Sequence, residues 1–479
     1  MTTTTARDAV LDGLDRFAGI PDWLAAPMRP GRLESSLRSH VPELSSRSLE
    51  LVDCRADRLR AKDDQWLVRC RVWVAPAGAA AHEQPTEVVL AGRLLPPGRP
   101  APQDGTRGAF GAPGSTLWLP DLRLELATEE ADPGLPALED LMVPGRAARI
   151  IEDMLRAGAY PHARVASVTP HVARYKPGSR CTVVYDVEYD PPSPDLPNPV
   201  VGKTHYGEKG AFAHQAMTAL WETPLSAGDR VVLAEPLGFR PGDRVLLQGP
   251  VPEDQTLKVL ATDAFETLDP VLLEALRTEL RRTAAALAAL HTSGAVFERT
   301  VTVRDWLDET VEVLDRLSLT LPGVRDWAAP LVAELERTAR EVPADPAVAA
   351  HHDFRPAQVL LGPGPVGFID FDGACLAEPG LDLGRFRGKL RDIAVTALAS
   401  GPDGYRPDLL QQRLELVDGF CDVFLEEYRA HAPVTPRRVD LWETIDLLTA
   451  LLHAWTKVRL HRVHPRLAIL RHHLLTTPD

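Results

Sequence analysis

A chain of 479 residues with 44% hydrophobic and 25% charged content has the length for a large core and the balance of an ordinary soluble globular protein. Its net charge of −14, with no dense Lys/Arg block, speaks against a nucleic-acid partner but not against a local phosphate site. No apolar stretch approaches the ~20 residues of a membrane span, the opening "MTTTTARDAVLDGLDRF" lacks a signal-peptide core, and Cys54, Cys70, Cys181, Cys375 and Cys421 are scattered without CxxC spacing. A disulfide framework and a zinc site are thereby disfavoured, no membrane association is expected, and a reducing, cytoplasmic location is.

In chain order, the first feature is a repeat. From Met28, "MRPGR" opens a predicted helix, a strand, a turn and the alternating strand "QWLVRCRVWV". From Met142, "MVPGR" opens the same series, with "CTVVYDVEY" as the alternating strand. Each series continues through a proline-containing loop into a further strand, "EVVLAGRLL" and "VVGKTHY", so Arg93 falls where Lys203 falls. The turns differ: Lys62-Asp63-Asp64-Gln65 in the first copy, Lys176-Pro177-Gly178-Ser179 in the second. Two carboxylates repel phosphate and the first turn has no glycine, so the first copy is expected to be dead as a phosphate site.

From about residue 270 the pattern turns helical. "VLLEALRTELRRTAAALAALHTSG" stops at Gly294, and "VRDWLDETVEVLDRLSL", "WAAPLVAELERTAREV" and two further long helices follow. Strands first and helices later predict an α+β fold. His453, His461, His464, His472 and His473 lack carboxylate partners at ligand spacing and read as solvated or core histidines. Trp66, Trp73, Trp118 and Trp221 read as core.

A strand-rich insert, "HHDFRPAQVLLGPGPVGFIDFDGA", interrupts the helices at His351. "VLLGPGPVGFI" reads as strand, tight turn, strand, which returns Asp370 towards Gln358 and Asp353. A carboxylate and an amide oxygen are hard ligands suited to Mg²⁺ on nucleotide phosphates. A further carboxylate would orient a hydroxyl and take its proton.

"HHDFRPAQVLL…GFIDFDGACLAEPGLDLGRF" resembles the aminoglycoside phosphotransferase family, with its choline-kinase-like and maltokinase-like relatives on the protein-kinase fold. The resemblance implies a bilobal α+β fold. It places a nucleotide-binding small lobe at 141–253 and a helical large lobe at 254–479, and the repeat then makes 1–140 a cap domain, a degenerate copy of the small lobe. It implies Asp353 as catalytic base in a loop supported by His351, and Asp370, Gln358 and Asp372 as metal ligands. Asp382 would brace the loop. Gly178 and Ser179 would cover the nucleotide, Lys203 would hold its phosphates, and the backbone at Gln248 and Gly249 would meet its base. Two positions depart from the family: Gln358 stands for asparagine, and Gln215 for the glutamate that pairs with the lysine, a place that Glu208 or Glu222 could fill instead. The implied reaction moves the γ-phosphoryl of ATP or GTP, with Mg²⁺, to a small-molecule hydroxyl. A pseudokinase, a kinase acting on peptide Ser/Thr, and a second copy of the chain as partner stay open.

Overall fold

Apolar side chains at every second position, Trp66, Val68, Cys70, Val72 and Val74, bury one face of strand β2 (Gln65–Pro76). The computed structural model describes residues 11–13, 21–29, 31–62, 65–78, 84–102, 105–112, 114–128, 135–176, 178–321, 323–399 and 406–477. Helix α1 (Arg32–His40) precedes a five-stranded sheet of β1 (Leu49–Lys62), β2, β3 (Thr86–Leu94), β4 (Thr116–Leu119) and β5 (Leu124–Thr128), in the order β1-β2-β3-β5-β4.

The next segment builds the same unit. In α2 (Pro144–Ala157), Ala147, Ile150, Ile151, Met154 and Leu155 are buried, a helical stripe. The sheet that follows holds β6 (Val165–Lys176), β7 (Arg180–Tyr189), β8 (Val200–His205), β9 (Pro236–Arg240) and β10 (Val245–Gln248), ordered β6-β7-β8-β10-β9. Cys181, Val183, Tyr185, Val187 and Tyr189 are buried as their counterparts on β2 are. The registers coincide: Arg93 pairs with Leu67 and Glu125, and Lys203 with Thr182 and Leu246. Strands β1 and β6 each carry two register shifts. The predicted repeat is therefore present in topology and in register. The copies differ in α3 (Lys209–Trp221), which follows β8, whereas the described residues between β3 and β4 form no helix. Asp63 and Asp64 lie outside the described residues.

The helical part begins with α4 (Leu257–Thr267) and α5 (Pro270–His291). Asp269 caps α5 by accepting from the N–H of Val271 (2.7 Å) and Leu272 (3.3 Å), and Gly294 beyond its end has φ +78°. After α6 (Val303–Ser318) and α7 (Gly323–Glu341) come four short strands. β11 (Val348–Ala350) pairs with β14 (Cys375–Ala377), and β12 (Val359–Leu361) with β13 (Gly367–Phe368). α8 (Gly380–Ala399), α9 (Pro407–His431), α10 (Pro436–Thr456) and α11 (Leu460–Thr476) complete the chain. A ladder of rings seats the insert on these helices: Phe354 meets Phe368 (4.9 Å) and Phe386 (5.3 Å), and Phe386 stacks on Phe424 (4.2 Å). Such pairs contribute about 0.5–1.5 kcal/mol each beyond their burial.

Two compact units result. One joins Met1–Ala131 with Leu307–Arg337 and Leu447–Asp479, and the other joins Asp132–Trp306 with Thr338–Asp446. Within the first, Trp66 Nε1 donates to Thr320 Oγ1 (3.1 Å), Thr310 and Thr449 hydroxyls bond (2.7 Å), and Trp327 lies against Trp455 (6.0 Å). The expected segment 254–479 is thus shared between both units. Trp66 is buried as expected, but Trp73, Trp118 and Trp221 are only half-buried. His472 and His473 are core residues and His461 and His464 are exposed. All five cysteines are free thiols. No helix of the described residues is long and apolar enough to cross a membrane.

Candidate active site

The β12–β13 hairpin sets the first half of the site. Ile369 N–H donates to Gln358 O (3.2 Å), and Asp370 then takes φ +75°, a left-handed turn that lifts the chain out of the ladder. The buried strand expected to run up to Asp370 is accordingly only Gly367–Phe368. A non-glycine residue held there costs about 1–3 kcal/mol, and such strain gathers at functional sites. The turn brings Asp370 to Lys203 Nζ (3.4 Å), Arg180 Nη1 (3.2 Å) and Gln358 Nε2 (3.0 Å). Asp372 Oδ2 accepts from Arg180 Nη1 (3.2 Å) and His205 Nε2 (3.0 Å), while its Oδ1 is buried without a hydrogen-bond partner among the described residues. Burial works to raise the Asp370 pKa, but the Lys203 ammonium and the Arg180 guanidinium overcome it and hold this carboxyl well below the usual carboxylate range.

The loop after β11 sets the second half. Asp382, wholly buried in the first turn of α8, accepts from the N–H of His351 (2.6 Å) and His352 (2.8 Å) and bonds His291 Nε2 (3.1 Å). His351 Nε2 reaches Ile369 O (2.9 Å), tying this loop to the hairpin. Next in the loop, Asp353 faces two arginines. Its Oδ1 accepts from Arg385 Nε (3.0 Å) and forms an ion pair with Arg385 Nη2 (2.8 Å), and its Oδ2 meets Arg355 Nη2 (3.2 Å). Burial favours the neutral acid, yet Arg385 and Arg355 keep Asp353 below the ordinary range. No bond joins it to Asp370 or Gln358, so the constellation has two centres. His352 is pushed down to about 4, by burial first and by Arg385 and Arg299 next, so it is neutral at pH 7.

Asp382 invites a direct test. Asp382→Ala is expected to cost about 3–5 kcal/mol in chemical unfolding, because two amides and His291 lose their acceptor in the interior. Burial tends to raise its pKa, but His291 and the loop N–H groups depress it. A depressed folded pKa gives stability that is present above the unfolded value, about 3.9, and is lost as pH falls through the folded one. The acid-unfolding transition should therefore move to higher pH in Asp382→Ala, and an unchanged transition would remove this role.

The remaining predicted residues are placed unevenly. Gly178 takes φ +64° in the β6–β7 turn, Ser179 N–H donates to Lys176 O (3.0 Å), and Ser179 O accepts from Tyr206 N–H (2.8 Å). Gln248 is buried on β10. The N–H of Gly249 is committed to Glu235 O (2.8 Å), so its backbone offers a base only the carbonyl. Gln215 is a correction: it is exposed on α3 and makes no bond to Lys203, and Glu208 and Glu222 are exposed as well. The buried Lys203 is partnered by Asp370 instead. Sequence reasoning missed Arg180, His205, Arg355 and Arg385. The available signal was register: Arg180 lies opposite His205, at the end of the β7–β8 ladder that carries Lys203.

In the first copy Arg93 Nε pairs with Glu125 (2.6 Å) and is half-exposed. If phosphate binding belongs to the second copy alone, Lys203→Met should weaken Mg·ATP binding by about tenfold or more, the usual scale of a charge-assisted contact. Arg93→Met should leave it unchanged. Calorimetric titration of both variants reads the difference.

Residues 252–415 match the family model described as "Phosphotransferase enzyme family". No curated protein matches the chain. Among solved structures, a glucosamine kinase (crystal form B) is similar over 96% of this chain and 97% of its own, at 17% identity and TM-score 0.47. A choline/ethanolamine kinase family protein from Mesorhizobium loti is similar over 64% of this chain and 92% of its own (17%, 0.36). Wild-type aminoglycoside 2'-phosphotransferase-IIIa in its GDP complex is similar over 68% and 98% (14%, 0.44).

Proposed function

We propose that this chain, whose residues 252–415 match the family model described as "Phosphotransferase enzyme family", moves the γ-phosphoryl group of ATP or GTP to a hydroxyl of a small molecule of sugar, aminoglycoside or amino-alcohol type. One observation carries this reading: one carboxylate, Asp370, is held by Lys203 and Arg180, and a second, Asp353, is held separately by Arg385. A metal-phosphate site and a proton-accepting site are the two requirements of phosphoryl transfer to an alcohol.

The fit to Mg²⁺ rests on the donor set. Asp370 and Asp372 are hard oxygen donors, and Asp372 Oδ1 lies buried without a partner among the described residues. Gln358 would supply an amide oxygen after exchanging the ends of its amide, whose nitrogen now faces Asp370. A magnesium ion held there would neutralise charge on the phosphates. Lys203 and Arg180 bind phosphate oxygens. Asp353 accepts the acceptor's hydroxyl proton while the new O–P bond forms. The bond from the γ-phosphorus to its bridging oxygen breaks, and the nucleoside diphosphate leaves with that electron pair. No covalent intermediate on the protein is required, and positioning with charge neutralisation does the work.

The test is a panel of amino sugars, sugars, amino alcohols and Ser/Thr peptides, each with Mg·ATP or Mg·GTP. Diphosphate release should match a phosphomonoester product seen by mass spectrometry. Transfer to peptides alone would move the acceptor class. A second reading, a nucleotide-binding scaffold without turnover, is favoured by Gln358 and by the exposed Gln215, and it predicts binding with no product from any acceptor.

A further inference from the structure

We propose that Arg385 is the positioning residue of the transfer reaction: it fixes the Asp353 carboxylate through an Nε hydrogen bond and an Nη2 ion pair, both on Oδ1, and leaves Oδ2 as the oxygen that receives the acceptor's proton. The proposal rests on the phosphotransferase reading above. Arg385 Nε donates to Oδ1 at 3.0 Å and Nη2 lies 2.8 Å from the same oxygen, so one edge of the guanidinium covers Oδ1. Among the described residues Oδ2 meets only Arg355, at 3.2 Å, and keeps a lone pair for an incoming hydroxyl.

The fork is itself held from behind. Arg385 Nη1 donates to Asp446 Oδ1 (3.2 Å), and Lys389, one turn further along α8, donates to Asp446 Oδ2 (2.9 Å). The Arg385 guanidinium lies over the Trp306 ring at 5.6 Å, and Trp306 is wedged against Trp442 and His352. Close approach of α8 to α10 makes this geometry: a Cβ on Gly384 would meet Glu443 N at 2.5 Å, and one on Gly380 would meet Trp442 Cδ1 at 2.5 Å. Only glycine at both positions lets the two helices touch where Arg385 must bridge them. All three guanidinium nitrogens are thus used, and the plane cannot rotate without losing Asp353 or Asp446.

Such pairing trades basicity for orientation. A carboxylate bonded to a guanidinium is a weaker base, but in a loose phosphoryl transfer the hydroxyl proton departs late, so direction matters more than proton affinity. The other charged or titratable groups facing Asp353 are Arg355, His351 and His352 of its own loop and Arg174 of β6. Arg385 is the strongest of the charges that hold Asp353 ionised.

The test uses the full chain with whichever acceptor the panel yields. Arg385→Gln is expected to lower kcat by at least about tenfold, with Mg·ATP affinity unchanged and the acid limb of kcat/KM moved to higher pH. Arg385→Lys keeps the cation without the fork. It should keep the acid limb nearer wild type while kcat stays low, and it carries the measurement if Arg385→Gln does not fold. A lower Tm with kcat and the acid limb both unchanged would mean a merely structural arginine and overturn the proposal. If wild type transfers to no acceptor, the reading above fails, yet Arg385 is still testable. The side-chain ¹³C signal of Asp353, identified by its loss in Asp353→Asn, should titrate at lower pH in wild type than in Arg385→Gln. Equal midpoints would overturn the proposal.

Discussion

Replacing Asp370 by alanine is expected to weaken Mg·nucleotide binding by about a hundredfold or more, roughly 2.7 kcal/mol. Asp370 gathers Lys203, Arg180 and Gln358. Without it the hard anionic donor is gone, Lys203 is left buried without its carboxylate, and Arg180 keeps only Asp372. Asp370→Asn keeps the volume and still accepts from the two cations, so it separates loss of the metal ligand from loss of packing. Calorimetric titration with Mg·ATP should show both variants impaired. An affinity equal to wild type in Asp370→Asn would remove Asp370 from the metal site.

Asp353→Asn should behave in the opposite way. Turnover is expected to fall about 10²–10⁴-fold, the usual contribution of a positioned proton acceptor. Nucleotide affinity should hold, because Asp353 makes no bond to Asp370, Gln358 or Lys203. In wild type the base works while ionised. Burial opposes that, but Arg385 and Arg355 prevail and depress its pKa. Activity should therefore persist to a lower pH than an ordinary carboxylate of pKa about 3.9 permits, and fall as pH drops through the depressed value. A variant retaining a tenth of wild-type turnover would show that Asp353 is not the base.

How far these residues were legible in the sequence follows from the distance over which each is specified. The hairpin that joins Gln358 to Asp370 is local, and turn chemistry announced it. The repeat was legible because strand alternation and the Gly-Arg and Gly-Lys pairs keep the same register in both copies. Gly92 shows why: a Cβ there would lie 1.9 Å from Glu125 O. Gln215 was placed by motif position alone. The buried stripe of α3, Ala213, Ala216, Met217 and Leu220, turns residue 215 to solvent, and that periodicity stood in the sequence unused. Arg180 was legible only as a register position opposite His205, and Arg385 not at all. Arg180 meets Asp370 across 190 positions, and Arg385 depends on a helix contact set by two glycines. The gathering of 307–337 and 447–479 with the first sheet likewise depends on long-range packing that no local pattern encodes.

The most direct test of the central claim is thermal unfolding of the full chain with Mg²⁺ and ATP, GTP, ADP or no nucleotide. A ligand at a hundred times its dissociation constant adds about 2.7 kcal/mol to the folded state. The account predicts a rise in Tm with Mg·ATP or Mg·GTP that persists in Arg93→Met and disappears in Asp370→Asn. No rise with any nucleotide, or one that Asp370→Asn leaves intact, would contradict a phosphate site built on Lys203, Arg180 and Asp370.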